Sequence, residues 1–202
     1  MKVIGIATGD GRAYYSILSR LKKTNLRFVS MTPAQAARER VWPVITTRKE
    51  LAIFEGVSIP IEELDENPLI MEGQILARTV RETRRVLLIG VDPGLRIGVA
   101  IYYGGVGLGS TTVNSVDLLQ QKILNVVQSI PHNRAMVRIG DGYPKQSRVI
   151  AETVASELPE TIVEIVNERG TSIGNQKGMT RDQVAAARIA FRKGAALGSA
   201  AP

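Results

Sequence analysis

The sequence predicts an α/β protein in which a small α/β domain precedes a mixed sheet flanked by helices. Three observations support this class. Apolar runs of strand length alternate with segments of helical periodicity over residues 1–66. A second series beginning at Val86 has the pattern of a hairpin followed by alternating helices and strands. The acidic, proline-containing stretch from Glu62 to Pro68 between them is typical of a domain boundary.

The first series alternates strands and helices in order. The predicted strands cover residues 2–8, 26–30, 42–46 and 57–61, and the predicted helices cover residues 13–23, 33–40, 48–54 and 69–83. We therefore assign residues 1–66 to a small α/β domain of unknown role, residues 67–85 to a helical linker and residues 86–202 to a second domain.

The second series begins with a long predicted strand over residues 86–103. A turn at Gly104 and Gly105 and a return strand complete a hairpin. The return strand covers residues 106–113, the later strands 135–140 and 161–166, and the helices 115–129, 146–157 and 180–193. Because helical crossovers connect parallel strands, we expect the last two strands to run parallel to their neighbours, with their carboxyl ends together.

Composition narrows the function classes. The chain of 202 residues has no cysteine, which excludes disulfides, thiolate nucleophiles and cysteine-ligated zinc. No apolar stretch approaches the ~18 residues of a membrane span, and the first residues are typical of a strand and not of a signal peptide, so we expect a cytoplasmic protein. The net charge of +7 favours an anionic partner such as nucleic acid. A charged surface without that function is the alternative.

Asp92 is the carboxylate that interrupts the apolar run from Val86 to Tyr103. An ionised carboxylate in such a place is unfavourable unless it binds a cation or accepts hydrogen bonds. Pro93 cannot donate to a strand ladder, so a local distortion is expected beside the acid. Two interpretations remain open locally: a metal ligand, or an Asp-Pro-Gly turn between two short strands.

Three further acids follow predicted elements of the second domain. Asp141 ends the strand 135–140, Glu168 follows the strand 161–166, and Asp182 opens the last helix. Ligand sites in such sheets collect at the carboxyl ends of the strands. Four carboxylates at one edge repel each other unless divalent cations screen them, and oxygen ligands select Mg²⁺ or Mn²⁺. For Asp182, a plain first-turn helix acid is an equal alternative.

These residues lie in motifs that resemble those of RuvC and YqgF nucleases, which belong to the RNase H-like superfamily. The four motifs are Ile-Gly-Val-Asp-Pro-Gly-Leu-Arg-Ile-Gly-Val-Ala at 89–100, Gly-Asp-Gly-Tyr-Pro at 140–144, Asn-Glu-Arg-Gly-Thr at 167–171 and Asp-Gln-Val-Ala-Ala-Ala at 182–187. The resemblance covers residues 86–193 and leaves residues 1–85 unassigned.

The resemblance implies an RNase H-like mixed sheet with catalytic metals bound by Asp92, Glu168 and Asp182. Asp141 matches the acid at the end of the fourth strand in that superfamily. The implied activity is Mg²⁺- or Mn²⁺-dependent hydrolysis of phosphodiester bonds in structured nucleic acid, such as a DNA junction or a folded RNA. A homodimer is expected, because cutting a two-fold junction requires a pair of sites.

Five basic residues lie within a few positions of these acids and could bind the phosphate backbone. They are Arg96, Lys145, Arg148, Arg169 and Arg181. For each one taken singly, a solvated surface charge is the alternative. Tyr143 could stack on an unpaired base, although we expect it to pack within the protein.

Two other functions remain open. A nucleic-acid-binding or assembly protein without turnover is favoured by Met179, which stands where the resolvases carry an additional acid. An actin-like or sugar-kinase-like ATPase is the other alternative, because those proteins also use an Asp-x-Gly turn on a first hairpin. They need two such domains, and the sequence contains one copy of the pattern.

Overall fold

A computed structural model describes residues 3–168 and 178–197, and it confirms the α/β class. The chain divides into two compact units, Met1–Val80 and Arg81–Pro202. None of the helices in the described ranges is long and apolar enough to cross a lipid bilayer. The helix predicted within the 67–85 segment is shorter than expected, and it belongs to the first unit.

The first unit is a four-stranded parallel sheet with the strand order β2-β1-β3-β4. Its elements are β1 (Ile4–Ile6), α1 (Gly11–Leu21), β2 (Phe28–Ser30), α2 (Pro33–Glu39), β3 (Val44–Thr46), β4 (Ser58–Pro60) and α3 (Pro68–Thr79). The segment predicted as a helix over 48–54 is a 3-10 helix, Arg48–Ile53. Ile6, Ile17, Ile45 and Ile59 are fully buried in this unit.

The second unit is a six-stranded mixed sheet with the strand order β10-β9-β8-β5-β6-β7. Its elements are β5 (Val86–Asp92), β6 (Ile97–Tyr103), β7 (Val106–Val113), α4 (Val116–Ser129), β8 (Arg134–Gly140), α5 (Pro144–Glu157), β9 (Ile162–Val166), α6 (Arg181–Phe191) and β10 (Ala195–Ala196). β8 runs parallel to β5 and to β9, as predicted. The short β10 pairs antiparallel with β9 and was not predicted.

The long strand predicted over residues 86–103 is wrong. β5 ends at Asp92, and β6 begins at Ile97 and runs back antiparallel to β5. Pro93 has no N–H for a ladder, and Gly94 follows it, so the chain turns at this point. The chain therefore turns at Asp92-Pro93-Gly94, and Asp92 lies at the carboxyl end of β5. The turn is compatible with a ligand role, so metal binding by Asp92 stays a prediction.

Helix α6 packs directly on the backbone of the sheet because glycines face it. A Cβ atom on Gly90 of β5 would overlap the Ala186 carbonyl oxygen and lie 2.8 Å from Ala190 Cβ. The helix begins with a capping box, in which the Thr180 hydroxyl accepts the Gln183 N–H at 3.3 Å. These contacts fix which residues of α6 lie over β5 and β6.

Candidate metal and phosphate site

Asp92 lies at the carboxyl end of β5, whose neighbours in the sheet are β6 and β8. Its side chain is half-buried. Within residues 3–168 and 178–197, no hydrogen bond or ion pair reaches its carboxylate. A half-buried carboxylate that lacks donors destabilises the protein when it is ionised, and a bound cation would remove that cost.

Asp182 is brought next to Asp92 by Gly98. Gly98 is the register partner of Asp92 in the β5–β6 ladder. A Cβ atom on Gly98 would overlap the Asp182 carbonyl oxygen and lie 3.1 Å from Asp182 Cβ. The first turn of α6 therefore lies on β6 opposite Asp92, and this places the backbone of Asp182 beside the register partner of Asp92.

Glu168, two residues after β9, lies over the end of β8. Its Oε1 accepts the Gly142 N–H at 3.1 Å. A Cβ atom on Gly140 would collide with the same oxygen, and one on Gly142 would come within 2.8 Å of Oε2. Only glycine at both positions leaves room for the Glu168 carboxylate against this turn.

Asp141 holds the backbone of Glu168. Its Oδ1 accepts the Glu168 N–H at 2.9 Å, while its own N–H donates to the Val166 carbonyl at 3.0 Å. The buried Ser147 hydroxyl lies 2.6 Å from the Gly140 carbonyl oxygen and fixes the same turn from α5. In the described part of the chain, Asp141 therefore holds the backbone of Glu168 in position.

The electrostatics show which acids face each other. Burial raises the pKa of Asp92 to about 7, and the negative charges of Glu168 and then Asp182 add to the rise. The structure therefore brings Asp92, Glu168 and Asp182 together at one edge of the sheet. The sequence predicts four acids at this edge. The fourth, Asp141, accepts the Glu168 N–H, and a metal-ligand role for it stays a prediction.

The three acids do not yet form a coordination shell. No group of three or more Asp, Glu, His or Cys side chains in the described part of the chain is arranged to hold a metal ion. All the candidate ligand atoms are carboxylate oxygens, which Mg²⁺ and Mn²⁺ prefer. The side chains would have to rotate to bind either ion.

The predicted phosphate-binding residues differ in their surroundings. Arg96 Nε lies 3.6 Å from Asp182 Oδ2, and Arg148 Nε lies 2.8 Å from Glu152 Oε1. Lys145 and Arg181 are exposed in the first turns of α5 and α6. Arg169 lies outside the described residues.

Tyr143 departs from its sequence-based interpretation, Met179 does not, and Ser147 was missed. Tyr143 does not pack inward but is 53% exposed beside the acids. Met179 packs on the cluster of Ala100, Ala186 and Ala187, away from any ligand role. Ser147 was missed, because nothing in a helix sequence shows that a serine will bond to a preceding turn.

Comparison with known families matches one segment of the chain. Residues 3–69 are similar to the response regulator receiver-like domain family. The matched segment lies within the first unit and covers about a third of the chain, so it does not assign the whole protein to that family. No curated protein matches the chain.

The RuvC and YqgF family assignment is corrected by this comparison. The family model that matches is the receiver-like one, which is a different family, and it falls on residues that the motif resemblance left unassigned. The order of strands and helices in the second unit establishes an α/β fold, and a fold shared by many activities does not identify one family. Arguments about function therefore rest on the geometry of the acids.

Proposed function

We propose that the second unit is a Mg²⁺- or Mn²⁺-dependent nuclease that hydrolyses phosphodiester bonds. The observation that carries the proposal is Asp92, a half-buried carboxylate without a donor in the described chain, with Asp182 placed beside it by the close approach at Gly98. Glu168 supplies the third acid. A structural acid would be expected to have an arginine or N–H partner at such a position.

The residues of the site divide into ligands and supports. Asp92, Glu168 and Asp182 would hold the metal, which when bound would activate a water molecule and neutralise charge on the phosphate. The Gly142 N–H and the Asp141 carboxylate keep Glu168 in place. Arg96, now paired with Asp182, is placed to exchange that partner for a phosphate oxygen.

A nucleic-acid substrate is supported by charge. The chain carries a net charge of +7, and the exposed Lys145 and Arg181 flank the acids from the first turns of two helices. Contacts of this kind give affinity without sequence specificity and weaken as salt rises. A branched DNA, such as a junction, and a folded RNA remain candidate substrates.

Cleavage assays with an isosteric substitution test the proposal. We expect the protein to cut branched DNA or RNA with Mn²⁺ or Mg²⁺ but not with EDTA. Asp92→Asn should reduce the rate about a hundredfold or more, since it removes a charged ligand and the loss of a mere outer-shell partner already costs about 10- to 100-fold. Asp117→Asn, an exposed acid in the first turn of α4, is the matched control and should cut normally. Activity unchanged by Asp92→Asn would refute the assignment.

A binding or assembly protein without turnover is the second candidate. It is favoured by the ion pair of Arg96 with Asp182 and by the lack of a ready coordination group among the described residues. This candidate predicts nucleic-acid binding that is insensitive to metal and to Asp92→Asn. The cleavage assay above separates the two functions.

Location and oligomeric state follow from the proposal. A nuclease acting on cellular nucleic acid is expected in the cytoplasm, which cell fractionation would test. Cutting both strands of a two-fold junction would require a homodimer. Sedimentation with and without a junction would show whether two copies assemble on it.

A further inference from the structure

Two exposed apolar side chains stand on the rim of the acid site. Leu95, at the tip of the turn between β5 and β6, is 93% exposed, and Tyr143, which precedes α5, is 53% exposed. Leu95 follows Asp92 by three residues, and Tyr143 follows Asp141 by two. Exposed large apolar groups beside a polar site commonly mark a contact surface.

The two loops that carry these side chains are held together. Gln146 Nε2 donates to the Gly94 carbonyl at 3.3 Å. A Cβ atom on Gly94 would lie 3.6 Å from Tyr143 Cε2, so the tyrosine ring borders the turn that carries Leu95. Leu95, Gly94 and Tyr143 therefore form one continuous rim, which we name the Leu95–Tyr143 rim.

The surroundings of the rim favour an anionic strand. Tyr143 is the N-cap residue of α5, and its side chain makes no capping hydrogen bond. The first N–H groups of this 14-residue helix are thus not capped by that side chain, and Lys145 lies among them. A phosphate at this helix end would lie next to Tyr143, the N-cap residue.

We infer that the Leu95–Tyr143 rim binds unstacked nucleobases, so that the site selects nucleic acid containing unpaired nucleotides over continuous duplex. The inference rests on the proposed nuclease function and extends it to the substrate class. Aromatic rings stack on any exposed base, and apolar side chains insert at unstacked steps. A fully paired duplex offers neither surface.

Binding measured in EDTA tests the inference without cleavage. The probes are a duplex DNA and the same duplex with two unpaired nucleotides, one of them the fluorescent base 2-aminopurine. We expect the full-length protein to bind the second probe more tightly and to change its fluorescence. Tyr143→Ala should weaken that binding about five- to hundredfold, as expected for the loss of one stacking partner. Leu95→Ala should weaken it as well, because an apolar side chain that inserts at an unstacked step is lost. Tyr143→Phe, which keeps the ring, should bind normally.

Matched exposed residues provide the controls. Tyr15 of α1 is 73% exposed and Leu118 of α4 is 52% exposed. Tyr15→Ala and Leu118→Ala should bind both probes like the wild type. Equal binding of the two probes by the wild type, or no effect of Tyr143→Ala, would overturn the inference.

The outcomes separate this inference from the nuclease proposal. Selective binding that depends on Tyr143, without metal-dependent cleavage of either probe, would support base binding by the Leu95–Tyr143 rim and refute the nuclease proposal. If cleavage requires Asp92, and wild type and Tyr143→Ala both cut the two probes at equal rates, the nuclease proposal is supported and base binding by the Leu95–Tyr143 rim is refuted. Absence of binding to either probe in EDTA would refute the inference about the rim, and the cleavage assay with metal would still decide the nuclease proposal.

Discussion

Gly98 and the Asp182 backbone lie so close together that no side chain fits between them. Gly98 is paired with Asp92 across the β5–β6 ladder, so the same contact that seats α6 on the sheet also brings two acids together. Close packing and formation of the site therefore depend on one glycine. The relationship explains why a helix acid that is unremarkable in sequence becomes part of the candidate site.

Gly98→Ala should displace the first turn of α6. The added methyl would overlap the Asp182 carbonyl oxygen, and the helix can relieve this only by moving away. Overpacking of this kind typically destabilises by about 1–3 kcal/mol, and we expect that loss in denaturant unfolding. Gly107→Ala in β7, whose methyl would meet Tyr102 at 3.4 Å, is the control and should change stability little. Equal stability of both variants would refute the close contact.

Asp92→Asn should stabilise the metal-free protein at high pH. Burial raises the pKa of Asp92 from 3.8 to about 7, with Glu168 and Asp182 adding to the rise. The folded state therefore holds the proton more tightly than the unfolded state, and this group lowers stability as the pH rises from about 4 through about 7.

The expected gain from Asp92→Asn is on the order of 2 kcal/mol at pH 8, after allowance for partial exposure to water. At pH 4.5 the gain should be much smaller, because the folded wild type is already neutral at this position. Thermal unfolding at both pH values in EDTA measures the difference, with Asp117→Asn as the control. A destabilised Asp92→Asn at pH 8 would contradict the account of Asp92.

Mn²⁺ should raise the unfolding temperature of the wild type at pH 8. A ligand present at 100 times its Kd stabilises the folded state by about 2.7 kcal/mol. Asp92→Asn should lose most of this effect, because the bound ion would no longer neutralise the half-buried acid. A thermal shift of the same size in both proteins would locate the ion elsewhere.

Glu50→Gln should destabilise the first unit. The Glu50 carboxylate accepts hydrogen bonds from the Thr8 hydroxyl at 2.5 Å, the Thr47 hydroxyl at 2.6 Å and the Gly9 N–H at 2.7 Å. Although burial acts to raise it, these bonds and a weaker one from Thr46 lower the pKa of Glu50 from 4.5 to about 2. Hydrogen bonds to a charged group contribute about 1.5–3 kcal/mol each at most, and we expect a loss of about 1–2 kcal/mol at pH 7.

The pH dependence gives this prediction a second measurement. A lowered carboxyl pKa stabilises the folded state above the ordinary value of 4.5, and this contribution is lost as the pH falls through about 2. The difference between wild type and Glu50→Gln should therefore shrink in acid. Glu55→Gln, an exposed neighbour, should match the wild type throughout.

The sequence predicts the elements of the second unit well because their periodicities are strong. The helix that begins near Thr180 has a capping signature, and the hairpin, helix, strand, helix, strand, helix order needs only local patterns. The single long strand was wrong, since apolar residues continue on both sides of Asp92 and only Pro93 and Gly94 signal the turn.

The contacts within the site could not be predicted in the same way. The carboxylate positions follow from strand ends, but the close approach at Gly98 and the hold of Asp141 on the Glu168 N–H depend on tertiary packing. The sequence also gives no sign that Leu95 is exposed, because a leucine after an apolar strand is normally expected in the core. Local patterns specify elements, and long-range contacts specify the site.

A crystal structure of the full-length protein grown with Mn²⁺ tests the central claim most directly. The account predicts an anomalous peak about 2 Å from the Asp92 carboxylate, shared with Glu168 and Asp182, with Arg96 released from Asp182. The peak should be absent from the Asp92→Asn protein under the same conditions. A wild-type map with no peak at Asp92, and with its carboxylate turned away from Glu168 and Asp182, would contradict the account.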